Sequence, residues 1–301
     1  MNVLIATTTG LVELDGAGER SRPLAGHSVR APARGPGGRW LAIVDRREVW
    51  QRDEGGEWRA LAAAGSDLSC LASDGATLYA GGTGPAMFRL GSEGTLEPLD
   101  AFGATRGHEE WHGVGYPLEV RSLTATADGA LLANVHVGGI PRSADGGATW
   151  EPTIPVGNDV HEVRAHRSDA QRVVAAAAVG LCQSRDGGRT WDVVATSGMH
   201  STYARAVTYV GGDDVLVTIS DGPFAERSAI YRHSRSGATT RVRGGLPEWL
   251  EGNVDTRCID SDGTAVALAD GGGNVWISPD GWTSWSRAAA ALPHVTALVV
   301  T

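Results

Sequence analysis

One octapeptide pattern, Ser-x-Asp-x-Gly-x-Thr-Trp, constrains the fold of this chain more than any other feature. Full copies occupy residues 143–150 and 184–191, residues 278–285 form a third copy with Trp282 in place of the glycine, and a remnant surrounds Asp53. The four aspartates lie 92, 41 and 94 residues apart. These intervals correspond to two, one and two units of about forty residues, a period typical of propellers and solenoids.

A second repeated element supports the same period. It is a short apolar strand with an arginine near its start, and two further units carry Cys70 and Ala297 at the aligned place. Along the chain, the seven positions are separated by 40, 51, 43, 41, 52 and 40 residues. The last interval, from the seventh position across the two ends of the chain back to the first, is 34 residues, so the seven intervals account for all 301 residues. The five arginines are Arg30, Arg121, Arg164, Arg205 and Arg257. The spacing predicts a single all-β domain over 1–301, a seven-bladed β-propeller with four-stranded blades.

The two ends of the chain complement each other. Residues 294–301 have the pattern of an inner strand with no strands after it, whereas residues 2–6 and 11–14 have the pattern of outer strands with no inner strand before them. Pairing of the N- and C-terminal strands would complete the seventh blade and cover two exposed sheet edges. We therefore expect the fold to be closed by this pairing.

The octapeptide resembles the Asp-box of BNR-type propellers, which include sialidases, sortilin-type receptors, xyloglucan-cleaving enzymes and photosystem II assembly factors. The resemblance implies that each box lies on the turn between the third and fourth strands of a blade, where it stabilises the turn and takes no part in catalysis. It does not extend to classical sialidase activity. The chain lacks a Phe-Arg-Ile-Pro segment near its start, and sialidases resemble six-bladed propellers.

Composition excludes several classes of function. The chain has no lysine, so a Schiff-base lysine and a phosphate-loop lysine are both absent, and no nucleotide cofactor is expected. Its formal net charge of −9 gives no general attraction to nucleic acid or to anionic membranes. The three cysteines have no metal-ligand spacing and lie in apolar stretches, which indicates buried, reduced thiols. With no apolar run of membrane-spanning length, we expect a cytoplasmic protein.

Histidines are placed where a metal could be held. In a propeller, the loops that enter the inner strands and those that follow the second strands open on one face, so side chains from adjacent blades can meet there. The candidate ligands of a divalent transition metal (Zn, Mn, Fe or Cu) are His112, His136, His161 and His200. The candidate general bases or additional ligands are Glu109, Glu110 and Glu162. The alternative is that histidine is simply tolerated on polar loops.

The candidate substrate-binding residues are the five repeated arginines, together with Trp111 and Tyr203. Guanidinium groups at one register favour a carboxylate or phosphate ligand, unless each pairs with an acidic neighbour instead. Trp111 belongs to a long loop, 103–117, that breaks the repeat spacing and is the candidate lid.

Two hypotheses of function follow from these residues. The first is a cytosolic propeller enzyme, a lyase or a hydrolase, in which a histidine-bound metal polarises a small anionic substrate. The second is a non-catalytic binding or assembly scaffold that grips the acidic tail of a partner protein. The sequence favours the enzyme but names neither the substrate nor the reaction.

Overall fold

The protein is built from β-strands. The structure, a computed structural model, describes residues 1–16, 18–113, 115 and 117–301. Among these residues there is no α-helix, and no helix is long and apolar enough to cross a membrane. The helical turns are short 3-10 segments at Pro36–Gly38, Asp100–Ala104, His108–Glu110 and Val156–Asn158.

The strands of the first half of the chain are β1 Val3–Thr7, β2 Gly10–Asp15, β3 Gly18–Ser21, β4 Val29–Arg34, β5 Trp40–Val44, β6 Glu48–Arg52, β7 Trp58–Ala63, β8 Leu68–Ser73, β9 Leu78–Gly82, β10 Ala86–Leu90, β11 Leu96–Pro98, β12 Val120–Ala125, β13 Leu131–Val135, β14 Pro141–Ser143 and β15 Glu151–Pro152. Those of the second half are β16 Val160–Ala165, β17 Val173–Ala177, β18 Gly180–Ser184, β19 Asp192–Val193, β20 Tyr203–Val210, β21 Asp214–Ser220, β22 Arg227–His233, β23 Thr239–Arg241, β24 Leu250–Glu251, β25 Ile259–Ser261, β26 Val266–Ala269, β27 Val275–Ser278, β28 Ser286–Ala289 and β29 Val295–Val300.

These strands form seven antiparallel sheets, the blades of a seven-bladed β-propeller, and the predicted fold class is confirmed. Six sheets have four strands in the orders β4–β7, β8–β11, β12–β15, β16–β19, β25–β28 and β29-β1-β2-β3. The seventh, β20–β23, carries β24 as an added strand beside β22. Within a blade, consecutive strands lie side by side and need only short connections, apart from β29, which pairs with β1, and β24, which pairs with β22.

The C-terminal strand completes the first blade, as predicted. β29 pairs antiparallel with β1, with Val300 opposite Val3 and Leu298 opposite Ile5. Leu298 and Ile5 are almost fully buried, so the pairing combines backbone hydrogen bonds with apolar packing.

Each Asp-box lies on the turn between the third and fourth strands of its blade, as the resemblance implied. In the box between β14 and β15, the carboxylate of Asp145 accepts hydrogen bonds from the hydroxyl of Ser143 at 2.8 Å and from the backbone N–H and hydroxyl of Thr149 at 2.9 and 2.6 Å. Trp150 is buried, and its indole N–H donates to the carbonyl of Gly147 at 3.1 Å. The box therefore satisfies the polar groups of a tight turn and anchors that turn in an apolar core.

Two compact units make up the described chain, and the prediction of a single domain stays a prediction. The first unit comprises Met1–Val29, Ala176–Leu181 and Val193–Thr301, and its apolar core includes residues of β1, β2, β20–β22, β24–β27 and β29. The second comprises Arg30–Ala175 and Cys182–Asp192, and its cores include residues of β4–β6, β8–β10, β12 and β13.

The repeated arginines do not all occupy the same place. Arg30 and Arg121 are the second residues of β4 and β12, whereas Arg164 is the fifth residue of β16. The second residue of β16 is His161. Arg257 lies before β25, in a turn at a positive φ of 62°. The equal register predicted for all five arginines is therefore wrong for Arg164, because counting residues cannot show where each strand begins.

Candidate metal centre

His136 directly follows the second strand of its blade. Its backbone N–H donates to the carbonyl of Glu119 at 3.1 Å, and the next residue, Val137, has a positive φ of 52°. This conformation is rare for a β-branched residue and costs free energy, so the surrounding contacts must hold it in place. The turn closes through a bridge between Val135 and Gly139. His136 is thereby fixed at the end of β13.

Asp159 and His161 lie where the chain enters the first strand of the next blade. The 3-10 turn Val156–Asn158 ends at Asp159, whose backbone is left-handed with a φ of 49°. Two residues later, His161 is the second residue of β16 and is fully buried. A non-glycine residue in the left-handed region indicates a backbone held against its preference, a situation common at functional sites.

The three side chains converge. One ligand atom from each of His136, Asp159 and His161 can be chosen so that all three lie within 4.8 Å of one another. Nε2 of His136 lies 3.5 Å from Oδ1 of Asp159, and Nε2 of His161 lies 3.6 Å from Oδ2. These separations exceed a normal hydrogen bond. Two donor atoms bound to one tetrahedral zinc with bonds of about 2.1 Å lie about 3.4 Å apart, so each histidine nitrogen is near enough to share a metal with the carboxylate oxygen that faces it.

Burial and charge suit a cation at this place. The side chain of His161 is 0% exposed, that of His136 10% and that of Asp159 29%, so solvent reaches the cluster from the side of the carboxylate. The interaction with the His161 ring lowers the pKa of Asp159 despite burial, and electrostatic interactions with His161, His136 and Arg121 act in the same direction. Asp159 is therefore an anion at neutral pH, and two imidazoles with one carboxylate are a donor set that transition metals favour.

The other predicted metal and acid–base residues lie outside this cluster. His112, Glu109 and Glu110 are exposed on the loop before β12, of which Val114 and Tyr116 lie outside the described residues. His200 belongs to the other compact unit, where it contacts Tyr231. Of the four predicted histidines, the described structure gathers His136 and His161.

Glu162 is buried beside His161, but its position does not suit a general base for the cluster. Its carboxylate accepts a hydrogen bond from Nε of Arg164 at 2.9 Å. Successive residues of a strand point to opposite faces, so Glu162 and Arg164 share one face of β16 and His161 lies on the other. Glu162 and Arg164 thus form an ion pair, so this arginine pairs with an acidic neighbour.

The predicted substrate-binding residues make different kinds of contact from one another. Trp111 packs against Phe102, with ring centroids 5.4 Å apart, and borders the core around β12 and β13. Arg205 is mostly buried and donates from Nη2 to Oδ1 of Asp255 at 2.6 Å, near the ring of Tyr203. Burial lowers the pKa of Arg30. Of the five arginines, Arg121 is the one whose charge acts on Asp159.

Sequence reasoning missed Asp159. The sequence did contain a signal for it, because Asp159 lies only two residues before the candidate ligand His161, where the chain enters the same strand. The cysteines were predicted correctly: Cys70, Cys182 and Cys258 are free and buried, and burial raises the pKa of Cys182 to about 12. The Cys182 thiol therefore stays protonated at neutral pH.

No family model matches the chain, and no curated protein matches it in sequence. Solved structures do resemble it. The GH74 enzyme of Niastella koreensis aligns over 94% of this chain and 46% of its own, with a TM-score of 0.61 and 15% identity. Virginiamycin B lyase from Staphylococcus aureus aligns over 90% and 85%, with a TM-score of 0.62 and 11% identity. YCF48 from Cyanidioschyzon merolae aligns over 87% and 84%, with a TM-score of 0.56 and 17% identity.

The chain thus spans about half the length of the GH74 enzyme and most of the length of the other two proteins. These β-propellers include enzymes and a non-catalytic scaffold, and at identities of 11–17% the likeness extends to the fold alone. The chain is a seven-bladed β-propeller with Asp-box turns.

Proposed function

We propose that this protein is a propeller enzyme, a hydrolase or a lyase, that holds one divalent transition metal between His136, Asp159 and His161. The observation that carries the proposal is the spacing of the three side chains, in which each histidine Nε2 lies 3.5–3.6 Å from a different oxygen of one carboxylate.

Three protein ligands leave room for water or substrate on the metal, which is the arrangement of catalytic rather than structural zinc sites. A metal so held would act as a Lewis acid on a carbonyl or phosphoryl oxygen and lower the pKa of bound water. Zn, Mn, Fe and Cu all remain compatible with two imidazoles and a carboxylate. The partly exposed carboxylate of Asp159 marks the side from which substrate would enter.

The chain's own residues would position the metal and the substrate. The left-handed backbone at Asp159 and the positive φ at Val137 fix the approach of the ligands before any metal binds. Arg121, whose charge reaches Asp159, would attract a small anionic substrate to the same place. We further propose a cytoplasmic location, in which three buried thiols stay reduced.

The competing proposal is a scaffold that binds an acidic partner, for which YCF48 is the structural precedent among the similar folds. Metal binding separates the two proposals. Tag-free protein is stripped with a chelator, dialysed and titrated with Zn²⁺ and Mn²⁺ by calorimetry. The enzyme proposal predicts one equivalent bound per chain, and a survey of carboxylate and phosphate esters should then give turnover that depends on the metal.

The matched variants are His136→Gln and His161→Gln, with the exposed histidine variant His294→Gln as the control. Loss of one ligand should weaken metal binding at least 100-fold, whereas the control variant should bind the metal as tightly as the parent does. Thermal unfolding of each variant shows whether it is folded. A parent protein that binds neither metal would refute the enzyme proposal and favour the proposal of a binding scaffold.

A further inference from the structure

Residues 100–112, here called the strap, follow β11 and are anchored in the core of the second compact unit. The side chain of Phe102 is fully buried, and its ring meets the indole of Trp150 edge-on with ring centroids 4.9 Å apart. Trp150 is the tryptophan of the Asp-box between β14 and β15. The strap is therefore tied at its start to the apolar core around β12 and β13.

Hydrogen bonds fix the course of the strap from Phe102 to Trp111. The buried hydroxyl of Thr105 donates to the carbonyl of Phe102 at 2.7 Å. The backbone N–H of His108 donates to the carbonyl of Thr105 at 3.0 Å, and that of Trp111 donates to the carbonyl of His108 at 3.1 Å. The ring of Trp111 returns to that of Phe102, with centroids 5.4 Å apart. Backbone hydrogen bonds and ring packing together hold Trp111 in place.

The far end of the strap lies against the turn 135–139, which carries His136. A Cβ built on Gly138 would lie 3.0 Å from Cδ1 of Trp111 and 2.3 Å from Cγ1 of Val135, so the indole and the turn are in close contact. Gly138 lies outside the left-handed region, so this close approach explains the glycine and backbone conformation does not. The next residue of the strap, His112, donates its backbone N–H to the carbonyl of Val137 at 3.3 Å.

The turn 135–139 needs outside support because its backbone is strained. Val137 has a positive φ of 52°, which is costly for a β-branched residue and persists only where neighbouring contacts hold it. The strap supplies two such contacts, the indole at Gly138 and the hydrogen bond to the Val137 carbonyl. A third is at Gly139, where a Cβ would lie 2.6 Å from the carbonyl oxygen of Ile154.

We propose that Trp111 is a positioning residue for His136. Its ring holds the turn 135–139 in the strained conformation, and that conformation directs the imidazole of His136 toward Asp159 and His161. The consequence for metal affinity rests on the proposed metal centre, whereas the hold of Trp111 on the turn can be measured without metal. Through Phe102, the Asp-box tryptophan Trp150 supports the same turn.

The first measurement is amide hydrogen exchange, followed by NMR on the whole protein in EDTA. The backbone N–H groups of Val135, His136 and Gly138 report on the turn, because they donate hydrogen bonds at 3.0, 3.1 and 2.8 Å. In Trp111→Ala all three should exchange about tenfold faster than in the parent, and in Trp111→Phe within about threefold of it. The backbone N–H of Val163, bonded to a hydroxyl on β12, is the internal reference and should not change. Parent-like exchange of the three groups in Trp111→Ala would overturn the proposal.

The second measurement is calorimetric titration with Zn²⁺, which shows whether the turn acts on the site. Trp111→Ala should weaken Zn²⁺ binding about tenfold, and Trp111→Phe should restore most of the affinity, because a ring again supports the turn. Trp40→Ala is the matched control. This partly buried tryptophan of the same unit stacks on Arg34 at 3.7 Å, on another blade, and its loss should leave Zn²⁺ affinity as in the parent.

The outcomes separate this proposal from that of the metal centre. Zn²⁺ affinity in Trp111→Ala equal to that of the parent would overturn the positioning role. A parent protein that binds no Zn²⁺ would refute the metal centre, and hydrogen exchange would still decide whether Trp111 holds the turn. Thermal unfolding shows whether each variant is folded. If Trp111→Ala is not, Trp111→Leu replaces it in both measurements, since leucine keeps an apolar contact with Phe102 but has no ring to place at Gly138.

Discussion

Asp159 stands in the left-handed backbone region two residues before His161, and its Oδ2 lies 3.6 Å from Nε2 of that histidine. A residue with a Cβ is strained in this conformation, and glycine is not. Asp159 thus carries both the backbone strain and a metal-ligand carboxylate. Substitutions at this one position can therefore change metal affinity and the free energy of unfolding independently.

The substitution Asp159→Gly should remove metal binding without destabilising the metal-free protein. Glycine relieves the strain of the positive φ, which offsets its own entropic cost of about 0.5–1 kcal/mol. Asp159→Ala keeps the Cβ and should be about 1 kcal/mol less stable than Asp159→Gly. Urea unfolding of both variants in EDTA measures this difference. An alanine variant as stable as the glycine variant would show that the backbone here is not strained.

The Asp-box aspartates are expected to stabilise the fold. Asp145→Ala removes the acceptor of three hydrogen bonds in the turn between β14 and β15. The free energy of unfolding should fall by about 1–2 kcal/mol, the range for loss of a charged turn acceptor. Asp192→Ala, at an exposed position of β19, serves as the control and should change stability by less than about 0.5 kcal/mol. Similar stability of the two variants would mean that the box contributes little.

The same aspartate gives a pH dependence. The hydrogen bonds of Thr149 and Ser143 lower the pKa of Asp145 to about 2, from an ordinary value of 3.8. Its folded-state pKa is below its unfolded-state pKa, so its contribution is complete above about pH 4 and is lost as the pH falls through 2. Urea unfolding between pH 5 and pH 2 should show a shallower loss of stability in Asp145→Asn than in the parent. Equal losses of stability with falling pH in the variant and the parent would contradict the lowered pKa of Asp145.

The closing strand should be essential to stability. Leu298 is 1% exposed on β29 and lies opposite Ile5, so Leu298→Ala should cost about 2–5 kcal/mol by leaving a cavity. The neighbouring residue Val299 is only partly buried, and Val299→Ala should cost less than half as much. Thermal or urea unfolding compares the two variants directly. Equal costs would argue against the pairing of the two ends of the chain.

The fold could be predicted from sequence because its signals are local and repeated. An aspartate, a glycine and a tryptophan in fixed order specify one turn, and the distance between copies measures the length of a blade. The half-blades at the two ends predicted the pairing of β29 with β1, since each end lacked the strands that the other supplied.

The candidate site was harder to predict because it depends on where each strand begins. Counting placed Arg164 with Arg121, but a 3-10 turn delivers the chain into β16 so that His161 takes the second position of that strand. The contribution of Asp159 depends on a left-handed φ, and a single aspartate in a loop gives no sign of its backbone conformation. His136 and His161 were predicted from strand order, but the same argument also selected His200, which lies in the other compact unit.

Anomalous diffraction from crystals of the parent protein soaked in Zn²⁺ tests the central claim most directly, because it locates the metal as well as detecting it. One strong peak is expected about 2.0–2.2 Å from Nε2 of His136, from Nε2 of His161 and from a carboxylate oxygen of Asp159. Crystals of His136→Gln soaked in the same way should lack that peak. Parent crystals with no peak between these three side chains would contradict the account.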